Sequence, residues 1–148
     1  MVLMLKAYHR TIRSTILEEV DTPKRGSWLR VIDPSKEELA KLEKTYNLDT
    51  DLLNDGIDLY EVPRIEHDDG NLYIYVRLCR PEGQHTSTHP LLLVVTPDML
   101  ITVSRIEAAP VNKLLDRSDV ITTQKVKLVL QILEELNRGY RKHLNGRS

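Results

Sequence analysis

The sequence predicts an α/β (α+β) fold in which a mixed, largely antiparallel sheet is covered by helices on both sides. Three observations carry that prediction. Strand-like runs fall into two groups of three, helical runs lie between the groups and after the second, and the second group reads as an antiparallel meander. With 148 residues the chain suits one domain able to bury a substantial core.

In order, Val2 to Tyr8 and Thr11 to Val20 read as strands, the second alternating weakly. The polar turn from Asp21 to Gly26 leads into a third, Trp28 to Ile32, with apolar residues on both faces. Asp33 or Ser35 then caps a helix. Pro34 suits its first position, Ser35 with Glu38 forms a capping box, and Leu39, Leu42 and Tyr46 make the apolar face. A short acidic helix starts near Asp49 or Thr50 and stops near Gly56, ahead of Pro63.

The next segment is the most strongly patterned. Asp68-Asp69-Gly70-Asn71 is a tight turn, and after it Leu72, Ile74, Val76 and Leu78 alternate with Tyr73, Tyr75, Arg77 and Cys79 in a two-residue period. Pro81 to His89 reads as an exposed polar loop. Leu91 to Val95 is an apolar strand that Thr96-Pro97-Asp98 turns back into Met99 to Val103. Ala108 to Arg117 forms a helix entered through Pro110. From Thr122 the chain reads as one helix of about 25 residues, roughly 37 Å at 1.5 Å per residue. Val126, Val129, Leu133, Leu136 and Tyr140 give it a narrow apolar stripe. Two arrangements fit that stripe: a helix docked on the sheet, or one that points away from the core. The division expected is a domain over residues 1–121 followed by the start of the long helix over 122–148.

Composition excludes several function classes. With 21 basic and 22 acidic side chains, nothing draws the chain as a whole to nucleic acid or anionic lipid. The single cysteine, Cys79, cannot form an internal disulfide, which favours a reducing compartment. No run approaches the roughly 20 apolar residues of a membrane helix. The N-terminal Met1 to Leu5 lacks a signal-peptide pattern and is expected to begin the first strand. No nucleophile elbow, phosphate-cradling loop or Cys-His pair is present, so an enzyme is not expected.

Asp49, Asp51, Asp55, Asp58 and Glu61 concentrate carboxylates around the short helix, and hard cations such as Mg²⁺ prefer oxygen ligands. A solvated acidic face with Asp49 as a cap explains the same residues. His85 and His89 flank His-Thr-Ser-Thr-His and could share a transition metal, although surface histidines are the simpler reading. The basic residues Arg138, Arg141, Lys142, His143 and Arg147 suit the negative pole of a helix dipole better than a nucleic-acid surface.

From Trp28 to Ser104 the chain resembles the N-terminal cytoplasmic domain of the CorA family of divalent-cation (Mg²⁺/Co²⁺) transport proteins. The matching pieces come in order: Trp28-Leu29-Arg30-Val31-Ile32-Asp33-Pro34, Leu53-Asn54-Asp55, Val62-Pro63-Arg64-Ile65-Glu66, Leu72-Tyr73-Ile74-Tyr75, and Met99 to Arg105. The family's Gly-Met-Asn signature is absent from these residues.

The resemblance implies a three-layer α/β/α sandwich whose long C-terminal stalk helix leads towards a transmembrane region in the missing C-terminal part. It further implies the soluble regulatory domain of a homopentameric magnesium/cobalt transport protein, held in the cell membrane with this domain in the cytoplasm. Mg²⁺ is the implied regulatory ligand, and Asp55 with Asn54 occupy the positions of the family's regulatory cation site between subunits. One family acid is thereby replaced by the Asn54 amide. The partner acid of the stalk falls near Arg138-Gly139, where there is no carboxylate. A zinc transporter of the same superfamily and a stand-alone soluble oligomerisation or binding module are the alternatives. Nucleic acid is not an expected partner.

Overall fold

The structure is a computed structural model that describes residues 4–145, excepting the side chains of Met4, Glu82, Tyr140 and residues 142–145. Val2 and Leu3 of the expected first strand, Tyr140 of the apolar stripe, and Lys142, His143 and Arg147 of the basic helix end lie outside what is described.

Seven strands form one sheet: β1 (Met4–His9), β2 (Glu18–Val20), β3 (Ser27–Ile32), β4 (Arg64–Asp68), β5 (Asn71–Glu82), β6 (His85–Val95) and β7 (Leu100–Ser104). Their order across the sheet is β2-β1-β3-β7-β6-β5-β4. Only β3 and β7 run parallel, with Trp28 beside Leu100 and Ile32 beside Ser104. The sheet is therefore two antiparallel sets joined by one parallel pair. Both β3 and β7 are buried along their whole length, which explains why apolar residues occupy both faces of each, with Ser27, Arg30, Thr102 and Ser104 buried among them.

Helices α1 (Lys36–Tyr46) and α2 (Thr50–Asp55) follow β3 and cover one face. Their Leu39, Leu42 and Leu53 pack with Leu29, Val31, Tyr73, Tyr75, Leu92, Ile101 and Val103. After β7, α3 (Ala109–Asn112), a 3₁₀ turn (Lys113–Asp116) and α4 (Lys125–Asn145) cover the other face. There Val111, Leu114, Leu128 and Ile132 pack with Trp28, Leu78, Leu93 and Leu100. Trp28 is fully buried and donates from Nε1 to the Thr102 hydroxyl at 3.0 Å. The expected three-layer sandwich is present.

Four local expectations are corrected, and one strand, β4, carried no expectation. The run Thr11 to Leu17 is a turn region: Ser14 N–H donates to the Thr11 carbonyl, and the Arg10 guanidinium donates to the carbonyls of Ser14, Ser118 and Val120. Hydroxyl and backbone bonds within that turn replace a ladder. Ser35 is the cap of α1, with both arms of the capping box formed, so Pro34 lies outside the helix and Asp33 adopts φ 53°. Arg64 to Asp68 is an edge strand with charged residues, joined to β5 by the two-residue turn Asp69-Gly70, both at positive φ.

The supposed loop before His89 is the outer part of a long hairpin, in which Glu82 pairs with His85 around Gly83-Gln84. It is polar because neither helical layer covers it. Finally, α4 starts at Lys125 rather than Thr122, whose buried hydroxyl accepts from the Arg10 N–H at 2.7 Å. Its buried stripe is Leu128, Val129 and Ile132, with Leu133 and Leu136 partly buried, whereas Val126 is 70% exposed. Up to Leu136 the helix is docked on the sheet through a stripe wider than a coiled-coil seam.

Candidate functional site

The acidic segment around α2 is built by caps and by two tyrosines. Asp49 ends the extended approach to α2, and its carboxylate accepts from Leu52 N–H at 2.9 Å, the cap that frees the first helical turn from unpaired donors. Strand β5 projects Tyr73 and Tyr75 towards α2. The Tyr73 hydroxyl accepts from Asp49 N–H at 3.0 Å, and the Tyr75 hydroxyl donates to the Leu52 carbonyl at 2.6 Å. Burial raises the pKa of both phenols. Gly56 ends the helix against β6, where a Cβ would lie 2.6 Å from Leu92 Cδ2.

Arg64 is the centre of this region. Its guanidinium lies 2.9 Å from the Asp55 carboxylate and 3.2 Å from that of Glu66, contacts the Glu61 carboxylate, and stacks 4.1 Å from the centroid of the Tyr75 ring. The geometry follows from the ladder. Arg64 is directly opposite Tyr75, and Glu66 shares its face of β4 by the two-residue period. Burial lowers the Arg64 pKa, but the bond to Asp55, the Tyr75 and Asp55 charges and Glu66 outweigh it, so the net shift is upward. Sequence reasoning placed Arg64 in a motif without assigning it this role. The available signal was an arginine three residues after Glu61 and two before Glu66.

The predicted site residues diverge from one another. Asp55 is committed to Arg64, while Asn54 is exposed and borders a shallow groove of about 530 Å³ between α1 and α2, with Lys36, Leu39, Ala40 and Ile57. The exit loop after α2 is held by arginines: Arg105 donates to the Ile57 carbonyl and Arg77 to the Glu61 carbonyl. No group of three or more His, Cys, Asp or Glu side chains among the described residues is placed to hold a metal. A cation at Asp55 would meet a carboxylate already shared with an arginine.

His85 and His89 do not form a shared site. They lie on one strand, and four residues along a strand separate them by roughly 13 Å at 3.3 Å per residue, too far for one ion. The His89 Nε2 instead lies 2.9 Å from the Ser87 hydroxyl. No helix among the described residues is long and apolar enough to cross a membrane.

Comparison with known proteins converges on one family. The family described as CorA-like Mg²⁺ transporter protein matches residues 23–145. The cobalt/magnesium transport protein CorA of Methanocaldococcus jannaschii is 26% identical over 122 residues, covering 76% of this chain and 37% of that protein. The complete structure of the CorA magnesium transporter from the same organism superposes with a TM-score of 0.78 at 24% identity, over 99% of this chain and 48% of the other. The cytoplasmic domain of ZntB from Vibrio parahaemolyticus RIMD 2210633 superposes with a TM-score of 0.76 at 12% identity, over 99% and 62%. These structural likenesses show a shared fold. The chain spans less than half the length of the curated relative and of the complete transporter.

Proposed function

The chain belongs to the CorA family, and we propose from that membership that it is the soluble, cation-responsive domain of a magnesium/cobalt transport protein. The observation that carries the proposal is the family match over residues 23–145, which takes in both helical layers and all but the first two strands of the sheet. In this reading the pore belongs to a transmembrane part of the protein outside this chain. The full protein is a homopentamer in the cell membrane, with this domain on the cytoplasmic side. The domain's work is mechanical and electrostatic, without catalysis.

Mg²⁺ is the regulatory ligand proposed, with Asp55 supplying a carboxylate at a contact between subunits; Asn54, which faces the groove between α1 and α2, would have to turn towards Asp55 to add its carbonyl oxygen. Hard cations take oxygen ligands and Mg²⁺ keeps several of its waters, so one protein carboxylate with a neighbour's oxygens is enough for a weak, reversible site. Because Asp55 is paired with Arg64, cation binding there also loosens the Arg64 contact that ties α2 to β4. Occupancy would thereby reach the sheet edge. Magnesium and cobalt are preferred over zinc as cargo because the curated relative is a cobalt/magnesium transporter, while the ZntB likeness concerns fold alone and the two loop histidines share no site.

Limited proteolysis of the assembled protein with and without Mg²⁺ tests the sensing role. Wild type should be protected by Mg²⁺, and Asp55→Ala should lose most of that protection. Equal digestion in both proteins under both conditions would sink it.

A further inference from the structure

The buried face of α4 changes character along its length. Near its start, Leu128, Val129 and Ile132 are buried in the second core, and Lys125 Nζ donates to the carbonyls of Thr96 and Pro97 at 2.7 and 2.6 Å. Further on, Gln131 and Glu135, four residues apart and so on one face, meet the segment after the 3₁₀ turn. Gln131 is 5% exposed. Its Nε2 donates to the Asp119 carbonyl at 3.1 Å, and its Oε1 has no hydrogen-bond partner among the described residues.

Glu135 is 3% exposed, with its carboxylate 3.1 Å from Arg117 and 2.7 Å from Arg138. Arg117 is also held by Asp119 at 2.6 Å, so it bridges the loop and the helix. Beyond this point Gly139 sits against Pro110, where a Cβ would lie 3.2 Å from Pro110 Cγ. A groove of about 730 Å³ opens alongside, lined by Leu78, Arg80, Ile106, Pro110, Lys113 and Gly139. One end of α4 is thus fixed by apolar burial, and the other by ion pairs, the partly buried Leu136 and the Gly139–Pro110 contact, beside open space.

We propose that Arg117 and Glu135 form a latch that holds the distal half of α4, from Glu134 onward, against α3 and the 3₁₀ turn, and that this half separates as a unit when the latch opens. The proximal half stays on the sheet, because Leu128 and Ile132 are fully buried, whereas the distal half gives the same core only the partly buried Leu136. The hinge falls between Ile132 and Glu135. Opening would widen the groove, expose Gln131 and Glu135 to water, and redirect whatever the helix leads to. The hydrogen bond from Arg117 holds Asp119 down to about 2, and the Arg117 pKa is raised in turn. This inference stands independently of cation sensing at Asp55.

Hydrogen exchange of the 148-residue chain, read peptide by peptide, tests it. In Arg117→Met the amides of residues 133–141 should exchange about tenfold faster or more, with residues 125–132 and strands β3 and β7 unchanged. Glu135→Leu, which removes the other half of the pair and leaves Arg117 without its partner on the helix, should accelerate the same distal stretch. Unchanged distal exchange in both variants, acceleration spread evenly along α4, or loss of protection throughout the sheet in Arg117→Met would each overturn the latch.

Discussion

Asp119 and Gly56 show how much a single side chain decides. The Asp119 pKa is lowered to about 2 by its bond to Arg117, so its contribution is present above the ordinary carboxylate range and is lost as pH falls through about 4 towards 2. Asp119 is half exposed, and solvent screening keeps that contribution to about 1 kcal/mol or less. Acid unfolding followed by circular dichroism should therefore be slightly shallower in Asp119→Asn over that window. Gly56 has an ordinary helical backbone at φ −64°, yet it faces Leu92 at a distance no Cβ could occupy. Gly56→Ala should cost about 1–3 kcal/mol by overpacking, measurable in urea, and a neutral result would contradict the close approach of α2 to β6. The sequence announced Gly56 as a helix stop, and that reading holds. It could not announce the Leu92 contact, which depends on a strand 36 residues away coming to lie beneath the helix.

Elements were legible wherever local chemistry and tertiary environment agreed. The capping box of α1, the Asp49 cap, the alternation of β5 and the turn at Asp69-Gly70 are all fixed by neighbours in sequence, and all appear as read. The misreadings lie at edges and overhangs. Strand β4 and the outer part of the β5–β6 hairpin are wet on at least one face, so they carry loop-like polar residues although their backbones are paired. The candidate site suffered in the same way. The carboxylates around α2 were visible, but the ladder that puts Arg64 opposite Tyr75 and among three acids was not.

Two element-scale outcomes follow. Arg64→Met should cost about 1–2 kcal/mol and loosen β4 in hydrogen exchange, since the charge-assisted bond to Asp55 ties that edge to α2 and the bond to Glu66 orients the guanidinium along β4. Leu128→Ala should cost about 2–5 kcal/mol, as expected of a fully buried leucine that anchors α4, and a loss below 1 kcal/mol would mean that the helix does not depend on the sheet.

At the scale of the whole molecule, the two faces of the sheet divide the labour. One face, covered by α1 and α2, carries the acidic segment, and the opposite face is covered by α3, the 3₁₀ turn and α4. Both layers pack on the same central strands, so a change at Asp55 and Arg64 has a continuous, close-packed route to α4. Divalent-cation flux tests the account most directly. Liposomes containing the full protein encoded by the reading frame that includes this chain, with an inside-negative potential, should take up Mg²⁺ and Co²⁺. Uptake should fall as Mg²⁺ rises on the side exposing this domain, and Asp55→Ala should weaken that fall. Absence of Mg²⁺ and Co²⁺ flux, or flux of Zn²⁺ alone, would contradict the proposed function.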